Sequence, residues 1–177
     1  MRSFLTGLAA FAATFLLAHF VVLSALPGKI MSTVRGQMTE RGMPVHAWAM
    51  SPRVTPESQP VVRPSPDLAY AICLIDLSDG PVELSVPAWP EYGSLSIFEA
   101  DTDNVYASSL DTRAEGTPGT RRVIVALEGQ DLSAAGAAEQ VILKKPEAMA
   151  LIRRLAPTQA AYEAAAALIP ASRCAPL

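Results

Sequence analysis

The sequence predicts an α+β protein, with an N-terminal transmembrane helix followed by a mainly antiparallel β domain and a C-terminal helix. Three observations predict this class. Residues 4–26 form an uncharged apolar run, residues 69–144 contain several short segments in which apolar and polar residues alternate, and an alanine-rich stretch occupies residues 157–169. A long apolar run is typical of a membrane span, whereas alternation with a period of two indicates half-buried strands.

The first segment, residues 1–27, is predicted to be a transmembrane anchor. The 23 residues from 4 to 26 carry no charge, and a helix of that length reaches about 34 Å, enough to cross a hydrocarbon core of about 30 Å. The alternative is a secretory signal peptide with Arg2 before the apolar run and Ala25 at the cleavage position. Leu23 is not the small residue that cleavage requires, and the run is longer than a signal core of about 7–15 residues. We therefore expect an uncleaved anchor.

The distribution of basic residues gives two opposing indications of orientation. Arg2 favours a cytoplasmic N-terminus, whereas the basic residues at 29, 35 and 41 favour the reverse. A short N-terminal tail is easily retained, and the remainder of the chain is typical of an exported domain. We expect a single-pass protein of the inner (cytoplasmic) membrane with its soluble domain in the periplasm.

Residues 28–43 are predicted to form an amphipathic juxtamembrane helix. Pro27 and Gly28 end the apolar run, and Gly42 with the residues after it ends the helix. The apolar side chains fall at helical spacing: Ile30, Met31, Val34 and Met38. This helix would lie near the membrane surface or against a partner, or it could equally form the last turns of one long helix.

Residues 44–177 are predicted to form a β-rich periplasmic domain with a C-terminal helix at 157–169. We place an edge strand at 45–50 and further strands at 69–77, 82–86, 94–97, 104–108, 121–127 and 140–144. The stretch 148–155 would be apolar nearly all round as a helix, so we predict a strand that pairs with the one before it. Pro157 suits the first turn of the C-terminal helix.

Composition and motifs argue against several functions. A net charge of −3 and a pI near 5.4 provide no basic field for nucleic acid. The acidic group Glu99, Asp101, Asp103 and Asn104 lacks the glycine and glutamate of a calcium-binding loop, so we interpret it as a turn. His46 has no second ligand nearby and no nucleophilic serine in a suitable context. We therefore predict no catalytic residue, no metal and no cofactor.

His19 lies in the outer half of the apolar run, where an ionisable side chain is a functional candidate. We favour a contact with a partner helix. The alternatives are a neutral imidazole facing a backbone group or lipid headgroups, and a ligand to haem or a chlorophyll-type pigment. A different hypothesis, an enzyme or ligand-binding module, depends on a cleft formed by Tyr70, Tyr92, Trp89, Asp67 and Asp76.

The two cysteines, Cys73 and Cys174, are an even number in an oxidising compartment. From the residues alone, one disulfide and two separate buried thiols are both possible.

Two motifs resemble the family called domain of unknown function 1254, over roughly residues 44–157. The first is an R-P-x-P-D-x-x-Y segment containing Arg63, Asp67 and Tyr70. The second is a D-L-S-x-G-P-V turn containing Asp76, Gly80 and Pro81. As side chains of a turn, Asp67 and Asp76 are expected to brace it through backbone hydrogen bonds.

The resemblance extends to a short, membrane-anchored proteobacterial branch of that family. His19, Cys73 and Cys174 of this chain match positions of that branch. It implies a Cys73–Cys174 disulfide and a role for His19. It also implies a separate envelope protein that supplies a domain of the unknown-function 1214 type. We therefore expect a non-catalytic partner-binding subunit in contact with membrane lipid. The alternatives are an accessory subunit of a larger respiratory or photosynthetic complex, and an enzyme or ligand-binding module completed by its partner.

Overall fold

The computed structural model describes residues 2–55 and 64–177. The elements within those ranges are α1 (Arg2–Glu40), β1 (Ala49–Met50), β2 (Leu68–Asp76), β3 (Val82–Pro87), β4 (Gly93–Glu99), β5 (Asn104–Ser109), β6 (Thr120–Leu127), β7 (Glu139–Leu143), β8 (Glu147–Leu155), α2 (Gln159–Ala167) and β9 (Arg173–Pro176). The predicted α+β class, with an apolar N-terminal helix before an antiparallel-dominated β domain and a C-terminal helix, is confirmed.

The strands form two sheets packed face to face. The five-stranded sheet has the order β1-β2-β8-β4-β5, and the four-stranded sheet has the order β7-β6-β3-β9. Alternate residues of both sheets point into one apolar core, for example Ile75 and Ile97 from the first sheet and Leu84 and Val125 from the second. We call the face of the five-stranded sheet that enters this core its inner face, and the opposite one its outer face.

The segment 148–155 is a strand, as predicted, but its predicted pairing with the preceding strand is wrong. β8 lies between β2 and β4 in the five-stranded sheet, while β7 belongs to the other sheet. Its inward side chains are small or branched, in the order Ala148, Ala150 and Ile152, and they suit a central strand buried in the core. The chain crosses between the sheets where Lys144 N donates to the buried Glu99 carboxylate at 2.6 Å.

Two features of the four-stranded sheet were not predicted. β7 runs parallel to β6, because the connection between them turns through the 3-10 helix Ser133–Ala135. β9 is a short edge strand paired with β3. Its four residues contain one proline and almost no alternation, so the sequence carries little signal for it.

Helix α1 runs without interruption through Pro27, so the apolar run and residues 28–40 form one long helix. This is one of the two arrangements that the sequence left open. The helix ends where expected. Gly42 has a φ of 85° and its N–H donates to Thr39 O, while Met43 N donates to Met38 O. This pair of bonds is the Schellman arrangement, in which glycine provides the left-handed residue.

The C-terminal part of α1 lies on the outer face of the five-stranded sheet. Met31, Arg35 and Met38 are partly buried there, at the spacing of one helix face. Ile30 and Val34, which we expected on the apolar contact face, are 51% and 36% exposed. The contact face is therefore rotated relative to the prediction, since the methionines rather than the branched residues face the sheet.

Helix α2 is shorter than the predicted range 157–169. It spans Gln159–Ala167, and Thr158 is the N-cap, with its side chain accepting a hydrogen bond from Ala161 N. Pro157 precedes this cap instead of occupying the first turn. The threonine determines the boundary because its oxygen satisfies a backbone N–H that the first turn leaves free.

Candidate functional site

The turn after β2, which contains Asp76, Gly80 and Pro81, joins several distant parts of the chain. Leu77 N donates to Pro146 O at 2.9 Å, and Leu77 O accepts from Gln130 Nε2 at 2.6 Å. Pro81 O accepts from Leu177 N at 2.9 Å. Gly80 has a φ of 144°, which side-chain-bearing residues rarely adopt. Since β2 and β3 lie in different sheets, this turn fixes the crossing from one sheet to the other.

Asp76 braces the turn with its carboxylate. Oδ1 accepts from Ser78 N at 3.0 Å and from Ser78 Oγ at 2.6 Å. These hydrogen bonds hold the pKa of Asp76 below its ordinary value, and the charges of Arg35 and His46 act in the same direction. His46 Nε2 lies 2.8 Å from Asp76 O and 3.1 Å from Asp76 N, so the imidazole contacts the Asp76 backbone. Both hydrogen bonds of the carboxylate are made to Ser78, two residues further on, so the carboxylate stabilises the turn itself.

The other motif residues lie at the opposite end of β2. Tyr70 Oη accepts from Ser65 N at 2.8 Å, and Asp67 O accepts from Ala156 N at 2.7 Å. The Asp67 backbone, rather than its carboxylate, forms these turn contacts, since Asp67 N also donates to Ser65 Oγ. Arg63, the first residue of the motif, lies outside the described residues.

The proposed cleft of Tyr70, Tyr92, Trp89, Asp67 and Asp76 is not formed. Asp67 and Asp76 are separated by the whole length of β2, about 30 Å at 3.3 Å per residue. Trp89 is 8% exposed and its indole N–H donates to Leu155 O. Asp76 and Trp89 therefore do not share a cleft with the others, whereas Asp67, Tyr70 and Tyr92 all lie beside the end of β8.

Cys73 and Cys174 form a disulfide, with a Cα–Cα distance of 6.6 Å. Cys73 is on β2 and Cys174 on β9, so the bond links the two sheets through the core and holds the short C-terminal edge strand in place.

His19 is exposed on the first part of α1, with ring contacts only to its neighbours Phe15 and Phe20 at centroid distances of 6.0 Å. Helix α1 is long and apolar enough to cross a membrane, and no residue of its most apolar window is buried against the rest of the protein.

The acidic group at 99–104 forms the turn between β4 and β5. Asp101 pairs with Lys145 at 2.7 Å, and this hydrogen bond is the main reason that the pKa of Asp101 is lowered. In the described ranges, no three histidine, cysteine or acidic side chains lie close enough to hold a metal ion.

A groove that was not predicted lies on the outer face of the five-stranded sheet, beside the end of α1. Its volume is about 510 Å³. Apolar side chains form most of its lining, which also includes one hydroxyl from serine and one guanidinium: Met38, Ser51, Val54, Pro64, Tyr70, Ile72, Leu151 and Arg153. Helix α1 is held beside it by Arg35, whose Nη1 donates to Ala148 O at 3.0 Å and whose Nε lies 3.4 Å from Glu147.

Two consecutive arginines at the end of β8 point to opposite faces of the sheet. Arg154 is 1% exposed, donates to Pro87 O at 2.9 Å and to Ala165 O at 3.4 Å, and lies over the Trp89 ring. Burial lowers the pKa of Arg154 to about 10. Arg153 points outward into the groove, where it donates to Ser96 Oγ at 3.2 Å. Within the described part of the chain, Arg153 pairs with no carboxylate.

The fold and these contacts define a class of protein: a two-sheet β domain with an N-terminal helix that is apolar enough to cross a membrane. The chain belongs to the family described as protein of unknown function (DUF1254), whose sequence profile matches residues 45–176. The resemblance recognised in the motifs is therefore confirmed at the level of the family. No curated protein matches the chain.

The fold is also found in a solved structure. The VPA0106 protein from Vibrio parahaemolyticus is similar with a TM-score of 0.67 and 16% sequence identity, over 88% of this chain and 36% of that chain. A putative uncharacterized protein from Burkholderia cenocepacia has a TM-score of 0.45 and 12% identity, over 81% of this chain and 38% of that one. The chain thus spans a little over a third of the length of the structures it matches.

Proposed function

We propose that this protein is a single-pass envelope protein of the inner membrane, whose periplasmic β domain is a non-catalytic partner-binding subunit. The observation that carries the proposal is the division of α1. Its first part is exposed on every side and its side chains are apolar, while its last part is held on the β domain. An apolar helix surface without protein cover is stable in lipid and unfavourable in water.

The partner in this proposal is a separate protein that carries a domain of the unknown-function 1214 type. The resemblance to the short membrane-anchored branch supports it. The length of the VPA0106 protein supports it too, because the part that this chain matches is 36% of that protein. Val105 on β5 and Ile142 on β7 are 40% and 50% exposed. Both strands lie at sheet edges on the same side of the domain, joined by the hydrogen bond from Tyr106 to Glu139. Exposed apolar residues on edge strands suit a protein contact.

Co-purification tests this function. Native membranes are solubilised gently, the tagged full-length protein is isolated, and its companions are identified by mass spectrometry. We expect one envelope protein at equal stoichiometry, lost in the double variant Val105→Asp, Ile142→Asp and retained in the control Thr112→Asp. A monodisperse monomer without a companion would contradict partner binding.

Three further measurements separate the parts of the proposal. Extraction with alkaline carbonate leaves an anchored protein in the membrane fraction, and protease treatment of spheroplasts digests a periplasmic domain. A mature N-terminus near Leu26 would show that the helix is a removed signal. Migration of the native complex at a mass far above that of a pair would favour the alternative of an accessory subunit in a larger membrane assembly.

A further inference from the structure

We propose that the groove beside the end of α1 binds the hydrocarbon chain of a long-chain carboxylate, with Arg153 holding the carboxylate group. The proposal concerns a small-molecule site on the outer face of the five-stranded sheet. It is independent of the partner-binding function, which we assigned to the edge strands β5 and β7.

The lining of the groove favours an alkyl chain. Met38 from α1, Ile72 from β2 and Leu151 from β8 surround its middle, and Ile72 and Leu151 are direct cross-strand neighbours. A volume of about 510 Å³ is within the range of about 300–1,000 Å³ that is usual for ligand sites. Unbranched methionine side chains adapt to irregular apolar ligands. A polar ligand would leave its hydrogen-bonding groups unsatisfied along most of this surface.

The end of the groove favours an anion. The Arg153 guanidinium has five N–H donors, and the hydrogen bond to Ser96 Oγ uses one nitrogen. The side chains beside it in the sheet register are hydroxyls, Tyr70 on one neighbouring strand and Ser94 on the other. A carboxylate matches a guanidinium with two parallel hydrogen bonds, and the nearby hydroxyls can donate to its remaining lone pairs.

Arg154 is an arginine with a structural role, and it provides a comparison for Arg153. That side chain is directed inward, covered, and bonded to two carbonyl oxygens. Arg35, on the same outer face, is neutralised by Glu147. Arg153 differs from both, because within the described ranges it is a partly buried cation without a carboxylate partner, placed at the end of an apolar groove.

The experiment is photo-crosslinking with the full-length protein in lipid nanodiscs. The probe is a hexadecanoic acid that carries a diazirine in its chain, and the matched probe is its methyl ester, which has the same chain and no charge. Adducts are located by mass spectrometry of peptides. We expect the acid to label peptides that contain Met38, Ile72 or Leu151 about tenfold more strongly than the ester does.

Variants then test the role of the guanidinium. Arg153→Gln is expected to reduce labelling by the acid about tenfold, to the level of the ester, because it removes one charge-assisted hydrogen-bonding group. Arg153→Lys keeps the charge and is expected to retain part of the labelling. Arg113→Gln, an exposed arginine in the loop after β5 that pairs with Asp111, is expected to change nothing. Leu151→Trp fills the groove and is expected to abolish labelling by both probes.

The folded state of each variant is verified by retention of the Cys73–Cys174 disulfide and by the emission of Trp48 and Trp89. Equal labelling by acid and ester, or full labelling of Arg153→Gln, would overturn the proposal. So would adducts confined to residues 4–26, which indicate probe dissolved in the bilayer. Crosslinked pairs of chains, or loss of a co-purifying protein on substitution of Arg153 without any groove adduct, would assign the groove to a protein contact instead.

Discussion

The two faces of the five-stranded sheet are built on the same strands but follow different rules. On the inner face, the reactive and charged side chains are engaged within the domain: Cys73 is in a disulfide and Arg154 is bonded to two carbonyl groups. On the outer face, helix α1 is attached through Arg35, a groove stays open, and Arg153 has a single hydroxyl partner. The inner face therefore carries the stability of the domain. The outer face can accommodate a ligand or a moving helix at low energetic cost.

The disulfide provides the largest test of this comparison. The double substitution Cys73→Ala, Cys174→Ala is expected to lower the free energy of unfolding by about 3–5 kcal/mol, because the bond closes a loop of 101 residues and longer loops lose more entropy when they are closed. The measurement is urea denaturation followed by the two tryptophans, both of which lie in the β domain. Addition of a reductant should destabilise the wild type and leave the double variant unchanged. A loss below about 1 kcal/mol would contradict an inner face that depends on this bond.

The consecutive arginines provide a matched pair. Arg154→Ala is expected to cost about 2–4 kcal/mol, since it removes the hydrogen bonds to Pro87 O and Ala165 O and opens a cavity against Trp89. Arg153→Ala is expected to cost less, about 1 kcal/mol, because Arg153 is only partly buried and the change removes its hydrogen bond to the buried Ser96 Oγ. Urea denaturation of both variants decides the matter. Equal losses would show that Arg153 is also structural.

Tyr106 lies at the edge of the inner face, and the pH dependence of stability tests its contribution. Burial, followed by the hydrogen bond to Glu139, raises its pKa to about 12. A pKa above the unfolded value of about 10 means that the protonated phenol is favoured by folding. Its stabilisation is therefore complete below pH 10 and is lost as the pH rises from there through about 12.

The corresponding variant is Tyr106→Phe, which is expected to lose about 1.5–3 kcal/mol at neutral pH, the value of a hydrogen bond to a charged group. In a pH titration of the folded variant followed by ultraviolet absorbance, the tyrosine with the raised pKa should be missing. Titration of Tyr106 at the ordinary tyrosine value of about 10 would contradict the interpretation.

The same contrast between faces explains how much could be predicted from the sequence. The inner-face strand β2 was recognisable because burial on one side imposes alternation along it. The strand β8 was predicted for a different reason, since a helix in its place would be apolar nearly all round. The partner of β8 was not, since pairing depends on contacts between distant segments. The groove was also not predictable. The groove requires α1 to lie across the sheet with Met31 and Met38 facing the strands. Helical spacing alone is equally consistent with a rotation of α1 in which Ile30 and Val34 face the strands. Arg153 and Arg154 are adjacent in sequence, so composition gave no means of separating their roles.

The smallest effect is expected at the attachment of α1 to the outer face. Arg35→Gln should lower the unfolding free energy by about 0.5–1 kcal/mol at most, because Glu147 is 47% exposed and such pairs are weak. Its effect on dynamics should be larger. In nanodiscs, amide hydrogen exchange in residues 29–41 should become several-fold faster, while exchange in β2 and β8 stays unchanged.

Arg41→Gln, an exposed residue at the end of the same helix, is the control and should exchange like the wild type. If Arg35→Gln leaves the exchange of residues 29–41 unchanged, the methionine contacts alone hold the helix, and the outer face is as rigid as the inner one. If exchange accelerates, the side of the groove formed by Met38 is a movable wall, because one ion pair and one backbone hydrogen bond determine whether it is closed.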